Sequence, residues 1–171
     1  VILYPTDTIW GLGCDPSNKT AIGKIFSIKQ RAENKSLIIL VNGVDMLERY
    51  VREIPSSARE ILAASDTPLT IIYPEGKNLA PGVCSQDGSV GIRICGDEFV
   101  GALIERFRKP LVSTSANLSG KEPPSHFGEI EEELLTLVDY TVKYRQNDRQ
   151  KHTASPVIKI DKNGVFKILR M

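Results

Sequence analysis

Leu37-Ile38-Ile39-Leu40-Val41 is the stretch whose reading decides the fold. An apolar run of this kind, unbroken by any polar residue, suits a strand covered on both faces, not the alternating pattern of a half-solvated one. Covered strands need helices against them, and helical patterns flank this one. From Lys19 to Gln30 the residues Ala21, Ile22, Ile25, Phe26 and Ile28 recur at near-helical spacing. Stretches 44–52 and 55–64 read as two further helices, the second with Pro55 near its first turn.

Working outward, residues 1–4 read as a buried strand ended by Pro5, and Gly11, Gly13, Pro16 and Ser17 mark a tight loop. Strands are expected at 69–73, 89–94, 110–113 and 138–142, with a helix at 98–108. The Gly/Pro-rich loop 74–88 has a length usually kept for function. A polar loop covers 114–127, an acidic helix 128–137, and a polar, mobile segment 143–152. Strands 157–160 and 165–169 flank Asp161-Lys162-Asn163-Gly164, an Asn-Gly hairpin signal. Alternating strands and helices that end in a hairpin predict one α/β domain over residues 1–171, a twisted mixed parallel/antiparallel sheet flanked by helices. The chain opens directly in a strand without Met, so an N-terminal piece, a helix, is expected to be missing.

Composition removes several classes. With 22 basic and 21 acidic residues the net charge is +1, too little for a general nucleic-acid coat protein. Cys14, Cys84 and Cys95 are odd in number and lack CxxC spacing, which argues against a disulfide framework or zinc site and for a reducing cytosol. No run approaches the roughly 20 apolar residues that span a bilayer, so no membrane partner is expected.

The polar residues with chemistry fall into two segments and their company. Lys29, Arg31 and Lys35 end the first helix pattern. They read either as a solvated helix end suited to the macrodipole or as a phosphate clamp, planar Arg for bidentate contact and Lys as a point charge. Ser113-Thr114-Ser115-Ala116-Asn117 follows a strand signal and precedes Gly120; it is either an ordinary turn or a loop that brings N–H groups to an anion. Thr6-Asp7-Thr8 lies at the carboxyl end of a strand, where open α/β sheets bind ligands, though hydroxyl turns look the same. Arg93 at a strand end is a carboxylate or phosphate anchor, or an edge-strand ion pair. Trp10 walls the pocket or is core. His126 and His152 read as solvated, as does the acidic face Glu129–Glu133.

Taken in order, Tyr4-Pro5-Thr6-Asp7-Thr8, Gly11-Leu12-Gly13-Cys14-Asp15, Lys29-x-Arg31 with Lys35, Leu37-Ile38 and Ser113-Thr114-Ser115-Ala116-Asn117-Leu118-Ser119-Gly120 resemble the YrdC-like family over nearly the whole chain. The resemblance implies a twisted α/β fold with a positively charged concave face. It also implies an L-threonylcarbamoyladenylate synthase: L-threonine, bicarbonate and ATP give threonylcarbamoyl-AMP and pyrophosphate. Mg²⁺ comes with the ATP, and no tightly bound organic cofactor is implied. Transferase proteins then modify adenosine 37 of tRNA in the cytoplasm. By position, Lys29, Arg31, Ser115 and Asn117 match the signature tetrad, and Thr6, Arg93, Ser115 and Ser155 match threonine contacts. Lys29, Arg31, Lys35, Ser89, Ser113, Asn117 and Arg170 match nucleotide contacts. The chain departs from the pattern at Trp10, Ala32, Cys95 and Ser65–Thr70, the last altering the pocket wall. The alternatives are a carbamoyl-AMP-forming domain and a non-catalytic RNA-binding module that would hold tRNA weakly.

Overall fold

The computed structural model describes residues 1–30 and 37–171, so Arg31 and Lys35 lie outside the described residues. Its strands are β1 (Ile2–Tyr4), β2 (Gly11–Gly13), β3 (Ile38–Val41), β4 (Thr70–Tyr73), β5 (Val90–Ile94), β6 (Leu111–Ser115), β7 (Tyr140–Thr141), β8 (Val157–Ile160) and β9 (Phe166–Arg170). The helices are α1 (Lys19–Lys29), α2 (Val44–Leu47), α3 (Ser56–Ala64), α4 (Glu98–Phe107) and α5 (Glu132–Leu137), with a 3₁₀ turn at Phe127–Glu129. One sheet takes the order β7-β1-β2-β6-β3-β5-β4-β8-β9, mixing parallel pairs such as β3–β5 with antiparallel ones such as β4–β5. This is the mixed α/β sheet that the sequence predicts.

α1 begins where the Asn18 side chain accepts the Ala21 N–H and ends where Gln30 turns left-handed, so its apolar stripe (Ile22, Ile25, Phe26) packs into the main core. That core includes Leu37, Ile39, Leu40 and Val41, and the central apolar run is covered as read. A second cluster joins Leu3, Trp10, Leu12, Ile28, Ala116, Ile130 and Leu134.

Four details depart from expectation. Gly11–Gly13 forms β2, not a loop, because β1 and β6 pair with it on either side, and its lack of side chains admits the Tyr4 ring: a Cβ on Gly13 would sit 2.5 Å from Tyr4 Cε1 and 2.7 Å from Val112 O. We therefore expect Gly13→Ala to lower stability by about 1–3 kcal/mol, read as a fall in melting temperature; an unchanged melt would show that both the Tyr4 ring and the Val112 carbonyl give way without cost. Pairing with β2 also carries β6 past Ser113 to Ser115, through Leu12↔Thr114 and Gly11↔Ser115. The acidic helix is split, because extended backbone at Ile130 buries that side chain while the Glu129 carboxylate turns back to accept the Ser125 N–H and O–H. Finally, the segment expected to be mobile is tied down: Arg145 pairs with Asp97, the N-cap of α4, and Tyr144 lies 5.3 Å from the Phe99 ring.

Candidate active site

Register alone sets one row of side chains across four neighbouring strands: Arg93 opposite Thr70, Thr70 opposite Val157, Val157 opposite Arg170. These residues floor a cavity of about 220 Å³ whose other walls include Thr8, Trp10, Ser113, Ser115, Pro123 and Ser155. Gly91 keeps that floor open beside Ile38, whose Cγ2 would lie 2.8 Å from an added Cβ.

Arg93 is 3% exposed and sits on a central strand between β3 and β4, so the edge-strand reading falls. Its Nη2 lies 2.9 Å from Asp7 Oδ1, a contact that is close but poorly aligned as a hydrogen bond, so its attraction is chiefly Coulombic. Nη1 donates to Thr8 Oγ1 (3.0 Å) and Ser155 Oγ (3.2 Å), and Nη2 also reaches Thr6 Oγ1 (3.4 Å). Ser155 Oγ and Thr70 Oγ1 are 2.8 Å apart. Arg170 donates through Nε (3.1 Å) and Nη2 (2.6 Å) to the Ser155 carbonyl. Burial, then the charge of Arg93, holds the Arg170 guanidinium below its ordinary pKa: two like charges share this cavity and favour an anion in it.

Lys29 also departs from the solvated helix end. It is 3% exposed, and its ammonium donates to Ser115 O (2.6 Å), Asn117 O (2.7 Å), Asn117 Oδ1 (3.2 Å) and Ser115 Oγ (3.5 Å). Lys29 thus bolts the turn after β6 to the end of α1. Ser113 and Ser115 line the cavity, whereas Asn117 stands behind it, its side-chain amide donating to the Leu118 carbonyl. Ser89 is buried away from it, with N–H and O–H both given to Asp87. Lys159 in turn donates to Asp87, and this bond above all holds the Asp87 carboxyl far below the usual carboxylate range.

Thr70 is the site residue that sequence reading did not single out, while Asp7 and Thr8 were read only as parts of the Thr6-Asp7-Thr8 ligand loop, without roles of their own. The signal for Asp7 and Thr8 is their place after the carboxyl end of β1, and Thr70 has only its place at the opening of β4. Of the altered stretch Ser65–Thr70, only Thr70 faces this cavity. The rest lines a separate hollow of about 410 Å³ with Asp7, Ile94 and Gly96. Trp10 proves both core and wall, 5% exposed and 4.8 Å from the Phe127 ring. His126 and His152 line a third hollow, of about 350 Å³, beyond the Thr6–Thr8 loop.

The chemistry available is donation to anions. Burial pushes the Cys14 and Cys95 thiols up to about 12, so neither is a thiolate near neutrality. Among the described residues no three of His, Cys, Asp and Glu gather as a metal ion requires, and no helix is long and apolar enough to cross a membrane.

Comparison with known proteins places this arrangement. The chain is 36% identical over 145 residues to a threonylcarbamoyl-AMP synthase of Pseudoalteromonas translucida, covering 83% of this chain and 78% of that one. It is 37% identical over 142 residues to the protein of the same name from Stenotrophomonas maltophilia, covering 81% and 76%. Among solved structures, P. abyssi Sua5 complexed with L-threonine superposes with a TM-score of 0.83 at 26% identity, over 99% of this chain and 49% of that one. The chain therefore spans about half the length of that Sua5. E. coli YciO superposes with a TM-score of 0.84 at 25% identity, over 99% and 82%. The Sua5/YciO/YrdC family model, described as telomere recombination, matches residues 1–171 from end to end, and the chain belongs to that family.

Proposed function

We propose that this chain is a threonylcarbamoyl-AMP synthase, joining L-threonine, bicarbonate and ATP into threonylcarbamoyl-AMP with release of pyrophosphate. The observation that carries the reading is the likeness to two synthases over about four fifths of the chain, with an anion-binding cavity at the family's motif residues. In this reaction the threonine nitrogen takes up the carbon of bicarbonate with loss of water. An oxygen of the resulting carbamate attacks the α-phosphorus, and the bond to the leaving pyrophosphate breaks. The carbamate is short-lived and both partners are anionic, so holding them together and offsetting their charge is the main task. The Arg93–Thr8–Ser155–Thr70 floor holds the amino acid, and the Lys29-bolted Ser113–Ser115 edge with Arg170 faces the nucleotide. Arg31 and Lys35 act as phosphate donors by the match of their motif.

Mg²⁺ enters with the triphosphate, held by phosphate oxygens and water, at a cavity whose described lining includes hydroxyls and guanidinium groups. The product passes to cytoplasmic transferases that modify adenosine 37 of tRNA. Contact with tRNA itself is weak and salt-sensitive at a net charge of +1. The test is pyrophosphate release with ATP, bicarbonate and each amino acid in turn. Release should require threonine, and Arg31→Ala should abolish it with the melting temperature unchanged. Release without any amino acid would instead favour a carbamoyl-AMP-forming domain. No release, together with RNA binding that survives moderate salt, would favour the RNA module.

A further inference from the structure

Thr8 and Trp10 wall two hollows of opposite character. On one side, Arg93 and Arg170 make the main cavity a place for anions. On the other, the hollow of about 350 Å³ beyond the Thr6–Thr8 loop has three carboxylates in its lining, Asp7, Asp97 and Asp148, against one guanidinium, Arg145. Small-molecule sites span about 300–1,000 Å³, so this hollow is large enough for a ligand. Two of its carboxylates are answered by cations: Asp7 lies 2.9 Å from Arg93, and Asp97 accepts from Arg145 and from the Val100 N–H (3.0 Å). Asp148 is not. Its Oδ1 accepts the Gln150 N–H (2.8 Å), while Oδ2 faces only His152 Nε2 at 3.8 Å, beyond hydrogen-bond reach.

A second observation comes from His126 on the same lining. Its Nδ1 is buried and has no hydrogen-bond partner among the described residues. Nε2 lies 3.4 Å from Glu129 Oε1, and that negative charge favours the ring proton on Nε2. Nδ1 of the neutral ring is then a bare acceptor, and a buried acceptor without a donor costs stability until something satisfies it. The hollow thus lacks both a positive charge, at Asp148, and an N–H donor, at His126. An ammonium group brings both. One nitrogen about 2.9 Å from each of Asp148 Oδ2 and His152 Nε2 closes a triangle on their 3.8 Å separation. Pro5 and Trp10 offer apolar wall for a carbon chain.

We propose that this hollow binds a small organic amine as its ammonium ion, held by the Asp148 carboxylate and the imidazoles of His126 and His152, with its alkyl part against Pro5 and Trp10. The bound charge answers Asp148 as Arg93 and Arg145 answer Asp7 and Asp97. A carboxylate or phosphate would instead meet three negative groups. The site is separate from the floor assigned to the amino acid and does not depend on the synthase reading.

The test is calorimetry with n-butylammonium, and with n-butanol as its uncharged counterpart, on the unaltered protein, Asp148→Asn and His126→Phe. The ammonium should bind with a Kd of about 1 mM, and the alcohol more weakly by about tenfold or more. Asp148→Asn keeps an oxygen for the Gln150 N–H and should weaken ammonium binding by about tenfold. His126→Phe should weaken it too, yet leave the melting temperature equal or higher, since a stranded acceptor is gone. Where His126→Phe fails to fold, Asp148→Asn carries the expectation. Saturating L-threonine should leave the ammonium Kd within about twofold, as uncoupled sites do. Absent ammonium binding, equal affinity for the alcohol, displacement by threonine, or an unchanged Kd in Asp148→Asn would each overturn the site. Threonine-dependent pyrophosphate release without ammonium binding overturns the amine site alone, whereas ammonium binding without such release upholds it and overturns the synthase reading.

Discussion

Arg93→Met is expected to cost about 3–5 kcal/mol of stability and to abolish threonine-dependent pyrophosphate release. The size of the effect comes from what is left behind. Asp7, its side chain 11% exposed, would keep a carboxylate beside an apolar side chain, with the backbone N–H of Gly96 at 3.4 Å and the Cys95 thiol among its remaining neighbours. Breaking one partner of such a pair strands a charge in low dielectric, which costs far more than the intact pair contributes. Adding Asp7→Asn to Arg93→Met should therefore recover a substantial part of the lost stability while activity stays absent, since Thr8 and Ser155 have lost their common donor. Urea midpoints of the two single variants and the double variant give the coupling. Additive losses would mean that the two residues do not act as a pair.

Lys29→Met is the second large effect, about 2–3 kcal/mol, with a raised KM for ATP and little change in that for threonine. Four oxygens of Ser115 and Asn117 compete for an ammonium that has three N–H donors. Removing it strands backbone carbonyls that folding has withdrawn from water. A phosphate that binds here must displace one of these acceptors, so the expected effect on ATP comes through the shape of the Ser113–Asn117 edge. Equal stability of the variant and the unaltered protein, with only the KM for ATP raised, would restore Lys29 to a simple phosphate ligand.

Much of this architecture was legible because it rests on local pattern. The 19–30 periodicity became α1, the 37–41 run became β3, and the Asn-Gly signal became the β8–β9 hairpin. What escaped depends on partners remote in the chain. Gly11-Leu12-Gly13 has the composition of a turn, and only β1 and β6 on either side make it a strand. A lysine closing an amphipathic helix reads as solvated, since the oxygens that bury Lys29 lie 86 and 88 residues on. Asp7 read as ligand loop or turn chemistry alike, because its partner Arg93 is on a strand across the sheet. Thr70 looked like part of an altered wall until strand register set it opposite Arg93.

The row from Arg93 through Thr70 and Val157 to Arg170 also has a bearing on how the molecule is made. Its members are drawn from four strands, and the hydroxyls that complete it come from residues 62 and 85 positions away from Arg93. Each such contact must close a long loop before it returns any stabilisation, and assemblies of that sort form slowly. Helices such as α1 can order early on local contacts, while the floor of the cavity exists only once the first and last strands have both found the sheet. Recovery of activity after refolding therefore trails the recovery of helix, and a chain stalled short of its final hairpin carries the family's motifs without a site.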